Sequence, residues 1–143
     1  MIVDSYVLIS ALAKAGCRSI SNPRDGRAFC PSVDWLREVG QWLFQHRKPY
    51  QIEKYDCDDF ALWAQVCATD ALCQNGSVMD CGHSFRCADI MIPNEGLNGI
   101  GPGLHATNIC YCSDETLYFL EPQTGLVSVV LDRRDVVILA AWL

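Results

Sequence analysis

Positive charge is scarce in this chain. Eleven Lys and Arg stand against seventeen Asp and Glu, and the net charge is −6. No basic cluster is larger than Arg47-Lys48 or Arg133-Arg134. Contacting a phosphate backbone takes a basic face, so no nucleic-acid partner is expected. No run is long and apolar enough to span a bilayer, and no membrane partner is expected. The N-terminus begins Met-Ile-Val-Asp, lacks a basic leader and carries Lys14, which argues against a secretory signal. Repeats and low-complexity tracts are missing too. Histidines number only three, so few residues can serve as a base near neutral pH.

What is plentiful is apolar residues and cysteine. Half of the 143 residues are hydrophobic, enough for an ordered core, and the length fits a single domain over 1–143. Nine cysteines is a high count and an odd one, which excludes a fully paired disulfide framework but not a single bridge. The expectation is a cytoplasmic protein with mostly reduced thiols.

Along the chain, residues 2–15 read as a first helix, with Ile2, Tyr6, Ile9, Leu12 and Ala13 on one face and Gly16 ending it. Asn22-Pro23, Asp25-Gly26 and Pro31 make 19–31 a loop. Ser32 caps a second helix to about His46, with Val33, Leu36, Val39 and Leu43 on its apolar face. A connector from Tyr50 to Tyr55 leads to a third helix ending near Cys73. Asn75-Gly76 signals a turn, 86–92 has strand composition, and 93–103 is a glycine-rich loop. Four β-like runs follow at 105–112, 116–121, 126–131 and 136–141. Connectors this short favour antiparallel neighbours. The prediction is an α+β domain: helices over about 1–74, then a small antiparallel sheet over about 86–143.

Tyr55-Asp-Cys-Asp-Asp-Phe60 organises the site. Asp56 is a good N-cap and Asp59 can reach back, which makes Cys57 the first helical residue. Unpaired amides and the helix dipole favour a thiolate there. Asp56, Asp58 and Asp59 oppose it by repulsion. These carboxylates are also hard ligands suited to calcium, or to manganese, and a cation would cancel the repulsion. Without one they are ordinary first-turn acids, and Cys57 is equally readable as an inert residue at a helix start.

A thiol nucleophile needs a base, and the base an orienting group. His105 opens the strand after the glycine-rich loop, whereas His46 ends a polar helix and His83 lies in a cysteine-rich turn. A hairpin centred near Ser113-Asp114 brings Glu121 close to His105. Asn108 lies on the opposite face of the strand from His105. Gln51, six residues before Cys57, is within reach of an oxyanion at the helix start. Cys110 and Cys112 share a strand face and read as core. Cys73, Cys81, His83 and Cys87 have zinc-ligand chemistry but match no standard spacing.

Asp56-Cys57-Asp58-Asp59-Phe60-Ala61, His105-Ala106-Thr107-Asn108 and Phe119-Leu120-Glu121-Pro122-Gln123-Thr124-Gly125 resemble the C-terminal domain of Marasmius oreades agglutinin and its relatives, found among fungal lectins and phage or bacterial proteins. The resemblance covers roughly residues 51–125. It implies a papain-like cysteine protease, with Cys57 as nucleophile, His105 as base, Glu121 as orienting acid, Gln51 at the oxyanion and Asp58 and Asp59 at a calcium site. The sugar-binding trefoil of the agglutinin has no counterpart in this sequence, so lectin activity does not carry over. Residues 73–87 have no place in the family pattern. The expected function is a calcium-dependent thiol hydrolase acting on a protein or peptide. The alternatives are a non-catalytic binding or structural module, phage-associated by analogy, and a transglutaminase-like acyl transferase.

Overall fold

Asp4 both ends a strand and starts a helix. Its side chain accepts a hydrogen bond from the Tyr6 amide at 2.8 Å, an N-cap that the 2–15 periodicity hides. The first helix therefore begins at Ser5, and Ile2 and Val3, both β-branched, are extended. In the computed structural model, which describes residues 1–52, 55–74 and 82–143, the chain runs β1 (Ile2–Asp4), α1 (Ser5–Lys14), β2 (Arg27–Phe29), α2 (Val33–His46) and α3 (Cys57–Gln74). It continues as β3 (Gly82–His83), β4 (Phe85–Ile92), β5 (Gly103–Tyr111), β6 (Leu117–Leu120) and β7 (Val127–Val129). A 3-10 turn over Val130–Asp132 then leads to β8 (Val137–Ala141).

Two predicted helices start where their caps put them. The Ser32 hydroxyl accepts from the Trp35 amide at 3.1 Å and opens α2, which ends before Pro49. The Asp56 amide donates to Asp59 Oδ2 at 3.3 Å, the reach-back half of a capping box, and α3 starts at Cys57. In α1 the buried face keeps Leu12 as predicted but takes Leu8 in place of Tyr6, which is exposed.

The five-stranded sheet is antiparallel throughout, in the order β7-β6-β5-β4-β8. The last strand crosses to the far edge and pairs with β4 rather than with β7. Both faces of this sheet are covered. Leu36 and Leu43 of α2 and Ala64 and Ala68 of α3 pack on Phe85, Cys110 and Leu120. Leu8 and Leu12 of α1, with Ala28 of β2, pack on Ile90, Ile109 and Phe119 from the other side. Each large side chain buried this way contributes ~1.5–3 kcal/mol. Cys110 and Cys112 are core, as predicted.

A second sheet, β1-β2-β3, corrects the expectation of helices first and one antiparallel sheet after. β2 lies inside the predicted loop 19–31 and pairs in parallel with β3 through Ala28 and Gly82. Strands of two or three residues are too short to show an alternation. The run 126–131 also divides, because Val130 turns inward as a buried residue of the 3-10 turn. The architecture is α+β with a mostly β core. The Asn75-Gly76 turn lies outside the described residues.

Candidate active site

β5 is central and buried along most of its length, so a polar side chain on it must find partners. Asn108 pairs opposite Leu120, which sets Thr107 against Glu121 and brings Glu121 within reach of His105. His105 Nε2 lies 2.7 Å from Glu121 Oε2, with both side chains buried. The Thr107 hydroxyl shares its proton between the Leu120 carbonyl at 2.9 Å and the same Glu121 oxygen at 3.1 Å, and the Gln123 amide donates to Oε1 at 3.0 Å. In each of these contacts with Glu121 a carboxylate oxygen is the acceptor. An acceptor at Nε2 requires the proton there, which leaves Nδ1 as the basic nitrogen. Nδ1 has no hydrogen bond among the described residues.

Cys57 stands on the first turn of α3, and the cleft between α3 and strands β4 and β5 holds both Cys57 and His105. It has a volume of about 670 Å³. Ala61, Gln65, Cys87, Asp89, Leu104 and Trp142 complete most of its wall. No hydrogen bond joins Cys57 to His105.

The thiol is not the activated one that a helix start alone predicts. Its pKa is raised above 9.0, first because burial disfavours the thiolate, then because Asp56 and Asp58 repel it. Backbone hydrogen bonds from Ala106 and Asp58 work the other way and do not outweigh these. Burial first, then Cys57, Asp56 and Asp58, also raise the pKa of Tyr50, which places that phenol near the same acidic group. Asp89 is raised by burial and then by Asp58.

Asp56, Cys57 and Asp58 bring one ligand atom each within 4.8 Å of one another, the one such group among the described residues. The Asp58 pKa is lowered, first by a side-chain hydrogen bond with Asp56. The metal pair expected from the sequence was Asp58 and Asp59, but one Asp59 oxygen serves the helix cap. Gln51 is exposed, bridges Tyr55 and does not line the cleft. Of the zinc-ligand candidates, Cys73 is exposed, His83 bonds Thr69 Oγ1 at 2.7 Å and Cys87 lines the cleft. Cys81 lies outside the described residues. Among the described cysteines, Cys17, Cys57, Cys67, Cys73, Cys87, Cys110 and Cys112 are free thiols. No helix among the described residues is long and apolar enough to cross a membrane.

Sequence reasoning missed Thr107, Gln65, Asp89 and Trp142. Thr107 had a usable signal, two residues from His105 on the same strand face. The other three reach the cleft only through tertiary packing.

No family model matches the sequence, and no curated protein matches it. Solved structures do share the fold. Polyporus squamosus lectin, bound to a human-type influenza-binding epitope, superposes with a TM-score of 0.74 at 18% identity over 99% of this chain and 49% of that one. A PSL1a–E64 complex gives a TM-score of 0.72 at 18% identity, covering 99% of this chain and 50% of that one. The chain thus spans about half the length of each. At this identity the likeness establishes the fold: it is one also found within a fungal lectin related to the agglutinin family.

Proposed function

We propose that the chain is a papain-like thiol hydrolase acting on peptide bonds, with Cys57, His105 and Glu121 as its catalytic set. The observation that carries this reading is the buried 2.7 Å contact between His105 and Glu121, which leaves Nδ1 free in the cleft that also holds Cys57. His105 Nδ1 takes the thiol proton as the sulfur attacks the acyl carbon. The free amides at the start of α3 face the developing oxyanion, with Gln51 as a further donor only if the connector moves inward. The imidazolium, held by Glu121, then protonates the departing amine. Water attacks the thioester, His105 takes its proton, and the thiol is restored.

Calcium suits this site, since two hard carboxylates beside a repelled thiolate form an oxygen donor set that a cation would relieve. Asp56 and Asp58 would hold it, with Asp59 close behind. When bound it supplies positive charge that lowers the Cys57 pKa.

E64 is an epoxide that a thiolate opens, and its presence in one fold neighbour makes it the natural probe. Covalent labelling of the wild type with calcium, absent in Cys57→Ala, together with cleavage of an unfolded protein by the wild type only, is the expected result. No labelling and equal proteolysis would sink the reading. Amine incorporation outpacing hydrolysis would make the same residues a transglutaminase-like acyl transferase.

A second reading is a non-catalytic glycan-binding module, and the glycan-bound lectin neighbour favours it. It predicts that this chain retains Neu5Aca2-6Galb1-4GlcNAc on an array, equally in wild type and Cys57→Ala.

A further inference from the structure

Arg86 is the most enclosed arginine outside the catalytic set. Its side chain is only 16% exposed, and its one ion pair among the described residues is a long 3.9 Å contact with half-exposed Asp25. Its Nε is buried with no hydrogen-bond partner among the described residues. A guanidinium carries five donors, and leaving them unmet in a protein interior is costly. The group opens on a second cavity of about 440 Å³, lined also by Ser21, Asn22, Arg24, Gln65, Trp142 and Leu143, whose amide donates to Ser21 Oγ at 2.8 Å. The charge of Arg24 is near enough to act on Arg86. Two cations and several neutral donors thus meet in one cavity, with Asp25 as the competing carboxylate.

The cavity adjoins the thiol cleft, because Gln65 and Trp142 line both. Gln65 Oε1 accepts from the Cys87 amide at 3.0 Å, so its amide hydrogens are the part left to offer. Eight residues of helix separate Gln65 from Cys57, a rise of about 12 Å, which an extended peptide covers in roughly three or four residues.

We propose that this cavity is an anion subsite that holds a carboxylate of the bound peptide roughly three or four residues from the bond that Cys57 attacks. As a substrate subsite it rests on the thiol-hydrolase reading; as an anion site it does not. A planar carboxylate matches the arginine fork, and its charge fits two nearby cations.

The test adds short alanine peptide amides carrying one glutamate, moved along the chain, before iodoacetamide, and reads Cys57 labelling by peptide mass. A matching glutamine series is the control. One glutamate position should protect Cys57 at about tenfold lower concentration than its glutamine counterpart. Arg86→Met, which keeps the apolar stem, should abolish the preference. Arg24→Gln, at an exposed position, should weaken it a few-fold, and Asp25→Asn should strengthen it by removing the competitor. Equal protection by both series, or a preference that survives Arg86→Met and Arg24→Gln, overturns the subsite. Inorganic phosphate protecting as well as the best peptide would make this a site for free anions and also overturn it. If Cys57 does not label selectively, the hydrolase reading fails on its own. The same peptides added at neutral pH, with the Arg86 guanidinium followed by NMR, then decide the anion site, since a bound carboxylate must pair with that group. Arg86 signals that move no more with the glutamate than with the glutamine series overturn it.

Discussion

Gly40 and Gly125 meet backbone to backbone. A β-carbon on either would lie 2.5 Å from the carbonyl oxygen of the other. Gly125 also has a φ of +73°, a conformation that strains other residues. Its amide donates to the Glu121 carbonyl at 2.7 Å, so the contact seats α2 on the turn that presents Glu121.

Gly40→Ala should therefore destabilise the fold by about 1–3 kcal/mol, the usual range for overpacking. It should also slow E64 labelling of Cys57 by loosening Glu121. Thermal melts and labelling rates check both effects. A variant as stable and as reactive as the wild type would show that the turn yields freely.

Glu121→Gln keeps the side chain's shape but removes the charge that holds Nε2 protonated and supports the imidazolium. Hydrolysis should fall by on the order of a hundredfold, mainly in kcat with KM little changed. Thr107→Val removes one donor to Glu121 and should cost about 1 kcal/mol of stability with a smaller loss of rate. Steady-state kinetics and urea unfolding separate the two.

Burial and then the charges of Asp56 and Asp58 hold the Cys57 thiol above 9.0. Asp58→Asn removes one repelling charge. In chelator, the pH profile of alkylation should therefore shift to lower pH, with faster labelling at neutral pH. Calcium should move the wild-type profile the same way and move the variant's less. Identical profiles in both buffers would sink the metal site.

His83 is buried, and burial first, then the charge of Arg86, pushes its pKa from 6.5 to about 4. The unfolded chain binds this proton more readily, so stability falls as pH drops from about 6.5 toward about 4 and levels off below. The loss is on the order of 3 kcal/mol. Denaturant midpoints between pH 7 and 4 measure it, and His83→Gln should flatten that part of the curve.

The local geometry around Cys57 and His105 was legible without coordinates. Caps at Ser32 and Asp56 mark helix starts because a side chain meets an amide two or three residues away. The hairpin from His105 to Glu121 is likewise short, and its register follows from where its turn lies. Tertiary structure alone decided what happens across long separations. It paired β2 with β3 and β8 with β4, and it set Asp89 and Trp142 in the cleft. It also set the sign at Cys57, which the sequence left open between helix start and acidic flank, by adding burial to the repulsion. That outcome depends on how much water a neighbouring strand and the C-terminal segment exclude, a quantity that no local run of residues contains.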